Sequence, residues 1–298
     1  MKSKWSNNYL LVLLVISFLI INRLGAVIVQ VDHLSRGDQN YYVFFEQHLF
    51  MNPADSKQAD SLDRILPGLS ASEKPLKVFV EVPGRISCVP RWKKVTTYIM
   101  DVAKKYPGII AEDIEVRGKS GLAHYIFSQS YNSYFANDCY EVCGQPIDIK
   151  SVTFNDFFDE LNEKGTSDAK TLGNFLSRTL VFDKWVSIGR ARSRLSDYMK
   201  EHGIDGDTPL IKAVGSLPSE IKKKLFRGIS DTFSNLFDLH AVQVLKNCLE
   251  SDEVSNFAFF IGSEHARWIC TFLKSISDTQ SKNSISSTSP DQIFSVLL

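Results

Sequence analysis

The sequence predicts an α/β fold: a mostly parallel central sheet flanked by helices, with a helical insertion before the last strand. Three observations carry this expectation. A strand, an amphipathic helix and a second strand follow one another over residues 77–117, the order of a βαβ unit with parallel strands. Five uncharged apolar residues at 257–261 read as a buried strand. Between these, residues 151–250 or so are dominated by helical patterns.

Taken in order, residues 27–31 (Val-Ile-Val-Gln-Val) form the first strand candidate. A polar stretch at 35–40 leads to an aromatic segment at 41–45, and irregular leucines up to Pro75 suggest one helix and a loop. The strand at 77–82 is closed by Pro83-Gly84, a strong breaker pair. Over 91–106, Trp92, Val95, Ile99, Val102 and Ala103 share one helical face, with lysines opposite. Pro107-Gly108 ends that helix, and 109–117 give the next strand. A short helix opens at Phe154, and a longer pattern over 168–201 breaks near Gly189 and stops at Gly203. Pro218 suits the first turn of a helix that reaches Leu249 with a break at Gly228. Gly262-Ser263-Glu264-His265 turns into a last helix, where Trp268, Ile269, Phe272 and Leu273 share a face. Residues 276–298 are rich in Ser, Thr, Asn and Gln and read as a disordered tail. A single α/β domain over 27–275 is therefore expected.

The amino terminus has its own signature. Lys2 and Lys4 precede an apolar run at 10–21, followed by small and polar residues to Ala26, so 1–26 reads as a signal peptide. A run of twelve residues falls short of the roughly 20 that span a bilayer. Arg23 interrupts the usual cleavage pattern, which leaves an uncleaved membrane anchor as the alternative. The chain is thus expected to be exported, secreted or periplasmic, or anchored through this segment. Acidic and basic residues balance at 34 each, so nothing favours nucleic acid as a partner. Export permits disulfides. Cys139 and Cys143 are one local option, and no second Cys or His pair at the right spacing supports a zinc site. Cys248 and Cys270 sit on apolar faces and read as core.

Three ionisable residues stand at or near the ends of strand-like runs: His33, Glu81 and His265. In parallel α/β sheets, ligands bind outside the carboxyl ends of the strands, so the three side chains could meet in one crevice. Glu81 lies in Val-Phe-Val-Glu-Val-Pro, where alternation puts it on the face of Phe79; a buried carboxylate needs a partner. Arg117 ends the next strand and could clamp an anionic ligand or pair with Glu81. Each residue also has a plain alternative, a satisfied structural histidine or an outward-facing charge. His48, His124, His202 and His240 lack comparable context. No Gly-x-Ser-x-Gly elbow, P-loop or Gly-x-Gly-x-x-Gly is present, so those hydrolase, NTPase and dinucleotide readings have no support.

The order of His33 in Val-Asp-His-Leu, Glu81 in Phe-Val-Glu-Val-Pro and His265 in Gly-Ser-Glu-His resembles the superfamily of erythromycin esterases, TraB and Tiki proteins and ChaN-like haem-uptake lipoproteins. Arg117 in Glu-Val-Arg-Gly and Asp238 in Asp-Leu-His-Ala-Val extend the likeness to uncharacterised members from giant viruses and intracellular bacteria. Gln30 stands where the first motif usually has glycine. The resemblance implies a hydrolase in which His33, Glu81 and His265 hold a divalent metal or activate water as a general base. Arg117 would then orient an anionic group, and Asp238 would contact substrate. The alternative it implies is a non-catalytic binding protein, for haem with the histidines as axial ligands or for a host partner.

Overall fold

The computed structural model describes residues 28–46, 56–70, 75–81, 84–86, 95–118, 120–124, 140–142, 145–146, 150–172, 178–215, 217–254, 256–276 and 280–286. The amino-terminal segment 1–26 and Cys88, Cys139 and Cys143 lie outside them. Among the described residues, no helix is long and apolar enough to cross a membrane.

The chain opens with a hairpin. Strand β1 (Ile28–Arg36) pairs antiparallel with β2 (Gln39–Glu46) across a two-residue turn in which Gly37 has φ +54°. That left-handed backbone disfavours a Cβ by roughly 1–2 kcal/mol. Among the described residues, no atom outside the adjacent ones comes within 4 Å of where that Cβ would stand, so the cost of Gly37→Ala is conformational. Gly37→Ala should therefore lower stability by about 1 kcal/mol in urea unfolding. An unchanged midpoint would mean that the turn holds no strain.

Next come α1 (Ser56–Leu69), β3 (Leu76–Val80), β4 (Gly84–Ile86), α2 (Val95–Ala103) and β5 (Ile109–Asp113). The middle of the chain carries β6 (Tyr140–Val142), β7 (Gln145–Pro146), α3 (Phe154–Leu172), α4 (Thr179–Glu201), α5 (Leu210–Gly215) and α6 (Ser219–Leu249). It ends in β8 (Asn256–Gly262), α7 (Ser263–Ser275) and β9 (Gln280–Ser286). The main sheet has the order β5-β3-β8-β2-β1-β9. Strands β5, β3, β8 and β2 run parallel, and β1 is antiparallel to both of its neighbours. A small antiparallel sheet, β4-β6-β7, stands apart from it. The fold is α/β, with a mixed, mostly parallel sheet.

Strand β8 shows why the sheet is covered on both faces. Phe257, Phe259 and Ile261 point into a core shared with α3 to α7, while Ala258 and Phe260 point into one shared with α1 and α2. A central strand buried on both sides needs no polar alternation. On β3, Phe79 belongs to the helical-insertion side, and Val78 and Val80 to the other. Residue 81 continues the face of Phe79.

Three local expectations give way to tertiary packing. Helix α4 continues through Gly189 because Val181, Ile188, Leu195 and Met199 form one buried stripe, which outweighs a helix cost of about 1 kcal/mol for one glycine. Helix α6 continues through Gly228, where a Cβ would come 3.3 Å from Leu195 Cδ1; the glycine lets α4 approach closely. Residues 280–286, expected to be disordered, form the edge strand β9 against β1. Backbone pairing there requires no apolar pattern.

Candidate functional site

The site is built where β3 and β8 end on the helical-insertion side. Glu81 follows Val80 in a bend, and its backbone N–H donates to the Phe260 carbonyl at 3.1 Å, keeping it beside β8. Its Oε2 accepts the Gly262 N–H at 2.8 Å. Beyond β5, the Ile114 N–H donates to the Val80 carbonyl at 3.0 Å, so the chain carrying Glu115 and Arg117 passes directly by. Arg117 donates to Glu81 Oε1 at 3.4 Å and grips Glu115 through two nitrogens, with Nε 2.6 Å from Oε1. The side chains of Glu81, Glu115 and Arg117 are only 9%, 3% and 5% exposed, so these charges depend on one another.

Glu160 on α3 fixes the next segment. Its carboxylate accepts the backbone N–H groups of Gly118 (2.6 Å), Ser120 (2.9 Å) and Gly121 (3.1 Å). A Cβ on Gly121 would fall 2.6 Å from that carboxylate, which is why a side chain is absent there. Burial pushes the Glu160 pKa up, and the three N–H donors only partly offset it.

The second half of the site comes from α6, α7 and α4. His265 stands in the first turn of α7, and its Nδ1–H donates to Asp238 Oδ1 at 2.8 Å. The other oxygen of Asp238 accepts a hydrogen bond from Lys184 on α4. The Phe237 ring lies 4.4 Å, centroid to centroid, from the imidazole. Burial is the strongest influence on His265 and opposes its protonation. The hydrogen bond to Asp238 and the charges of Glu81 and Asp238 together outweigh burial and the repulsion from Arg117, so its pKa is raised. Among the described residues, Nε2 has no hydrogen-bond partner.

Gly262 joins the two halves. A methyl group there would lie 3.4 Å from Glu81 Oε2 and 3.7 Å from His265 Cδ2, so both the carboxylate and the imidazole border the space at Gly262. Gly262 has ordinary extended dihedrals, φ −54° and ψ 143°, so its role is room rather than backbone freedom.

Of the five residues singled out in the sequence, the structure brings together Glu81, Arg117, Asp238 and His265. It leaves out His33, whose expected convergence is corrected here. The Gly37 hairpin makes β1 antiparallel, so its carboxyl end lies at the opposite edge of the sheet. His33 pairs with Tyr42, and Tyr42 with Ala258, four residues short of Gly262, or about 13 Å along the strands. Its ring stacks on Tyr42 at 4.6 Å, and its Nε2 is 3.1 Å from Asn40 Oδ1.

The metal expectation fails with it. Among the described residues no group of three His, Cys, Asp or Glu side chains is arranged to hold a metal ion. The Glu81 oxygens and His265 Nδ1 are already engaged by Arg117, Gly262 and Asp238. Nor do His33 and His265 face one another as axial ligands of one haem. Of the two roles expected for Arg117 the pairing with Glu81 is the one found, whereas the role expected for Asp238 changes. The Arg117 guanidinium is held by two carboxylates instead of standing open to an anion, and both oxygens of Asp238 are occupied within the protein.

Sequence reasoning missed Glu115, Glu160 and Lys184. Glu115 was within reach, because residues 115 and 117 share a face in extended chain. Glu160 and Lys184 carry no local signal, since their partners lie about 40 and 54 positions away. Compared with known proteins, the chain matches no family model, no curated protein and no solved structure. The class of the molecule is therefore defined by its own geometry: an α/β protein in which a buried Asp238 holds a half-buried His265 near an arginine-held glutamate.

Proposed function

We propose that the protein is a hydrolase whose general base is His265. The observation that carries this reading is the Asp238–His265 hydrogen bond at 2.8 Å, which engages Nδ1 and leaves Nε2 without a hydrogen-bond partner among the described residues. A water at Nε2 would give up its proton to the imidazole while its oxygen attacks an acyl carbon and the carbonyl electrons move to its oxygen; as the carbonyl re-forms, the ester alkoxide leaves and takes the proton back from the imidazolium. The imidazolium so formed is stabilised by the two carboxylates, Asp238 through the Nδ1–H and Glu81 across Gly262. Arg117 keeps Glu81 aimed without binding substrate itself.

A relationship to the erythromycin esterase, TraB, Tiki and ChaN-like superfamily belongs to the same proposal. It is supported by the motifs that carry Glu81, Arg117, Asp238 and His265, residues that this fold brings together, while His33 stands apart. Export through residues 1–26 rests on their basic start and apolar run.

Hydrolysis of p-nitrophenyl acetate and butyrate tests the reading. His265→Gln should lower kcat/KM by about 100-fold or more. The wild-type rate should climb with pH through a pKa above that of an ordinary histidine, because the base works only when deprotonated. Gly262→Ala should slow the reaction about tenfold or more by filling the space between Glu81 and His265. It should barely change stability, as the new methyl would make ordinary contacts. Equal rates for wild type and His265→Gln would sink the proposal.

A further inference from the structure

Lys184 lies on a different helix from every other member of the cluster, yet it reaches two of its elements. Its ammonium donates to the Asp238 carboxylate on α6 and stands 5.6 Å from the ring centre of Trp268 on α7, one helical turn beyond His265. The Asp238 side chain is 3% exposed, and its two oxygens are divided between Lys184 and His265. A carboxylate shared in this way offers each partner less than its full charge. We infer that Lys184 is a positioning residue that sets the basicity of His265 by sharing Asp238, making the pair a Lys184–Asp238–His265 relay.

The groups around His265 fit this role. Glu81 at the end of β3 and Asp238 on α6 favour the imidazolium, and Arg117 from the loop after β5 opposes it. Glu46 closes β2 opposite Gly262, and Glu264 on α7 itself is exposed to solvent. With two carboxylates against one arginine nearby, a second cation on Asp238 keeps His265 from being locked in its protonated, non-basic form. A Lys184 that only filled space would leave the titration of His265 alone.

The proposal deepens the general-base reading and is tested without substrate. The His265 Cε1–H resonance is followed by NMR against pH in wild type, Lys184→Gln, Lys184→Met and Lys184→Arg. Lys184→Gln keeps a donor for Asp238 but removes the charge, and it should move the titration up by about one unit. Lys184→Met should move it the same way, and Lys184→Arg should leave it near the wild-type position. If Lys184→Met fails to fold, Lys184→Gln alone carries the comparison. A titration unmoved or lowered in the neutral variants overturns the proposal. If the titration shifts as stated while no ester is hydrolysed, the hydrolase reading fails and the assignment of Lys184 stands.

Discussion

Arg117→Met should destabilise the protein by about 3–5 kcal/mol, the usual cost of removing one partner from a buried ion pair. The guanidinium is the shared cation of Glu81 and Glu115, and its loss leaves two nearly inaccessible carboxylates side by side. Removing the charges together should recover much of that loss, because a buried cluster replaced as a unit can be close to neutral. The triple variant Glu81→Gln, Glu115→Gln, Arg117→Met is therefore expected to be more stable than Arg117→Met alone. Urea unfolding of the two proteins at neutral pH decides it. A triple variant no better than the single one would mean that Arg117 stabilises through its packing on Phe233, 5.8 Å away, and not through its charge.

The second large effect is a loss of stability in acid that traces to one histidine. His124 is fully buried among the rings of Phe154 and Phe157, with its Nε2–H donating to the Thr153 carbonyl at 2.8 Å. Its Nδ1 is buried and meets no hydrogen-bond partner among the described residues. Burial lowers its pKa from about 6.5 to about 4, against smaller opposing contributions from the Thr153 hydrogen bond and Asp156. The unfolded chain thus takes up a proton near pH 6.5 that the folded protein refuses until about pH 4. Stability is present in full above pH 6.5 and falls as the pH drops through this window, by about 3 kcal/mol at its lower end. His124→Phe removes the titrating group and suits the aromatic surroundings. Its stability should therefore fall less steeply between pH 7 and pH 4 than that of the wild type. Parallel curves would show that other groups govern the acid limb.

These cases also show how far sequence reaches in this molecule. The face on which Glu81 lies was legible, because period-two alternation places it with Phe79, and Phe79 is buried against Phe259. The turn bearing His265 was legible from an uncharged strand followed by Gly-Ser-Glu-His. His124 was passed over, since its burial depends on α3, whose Phe154 and Phe157 stand about 30 positions away. His33 misled because a strand-like run shows no direction. Gly37 supplies the positive φ of the hairpin turn, and that turn reverses the strand.

What the sequence determined by itself was the α/β class, the parallel unit of β3, α2 and β5, and the two-sided burial of β8. Each follows from hydrophobic periodicity, which records how a segment meets its surroundings. The tertiary structure alone decided that β1 runs backwards, that 280–286 close the sheet edge, and that α4 supplies Lys184 to Asp238. Pairing direction and contacts between distant helices are set by how the whole chain packs. The trio of polar residues at strand ends became, by that packing, a different constellation: Glu81, Arg117, Asp238 and His265, joined by Lys184.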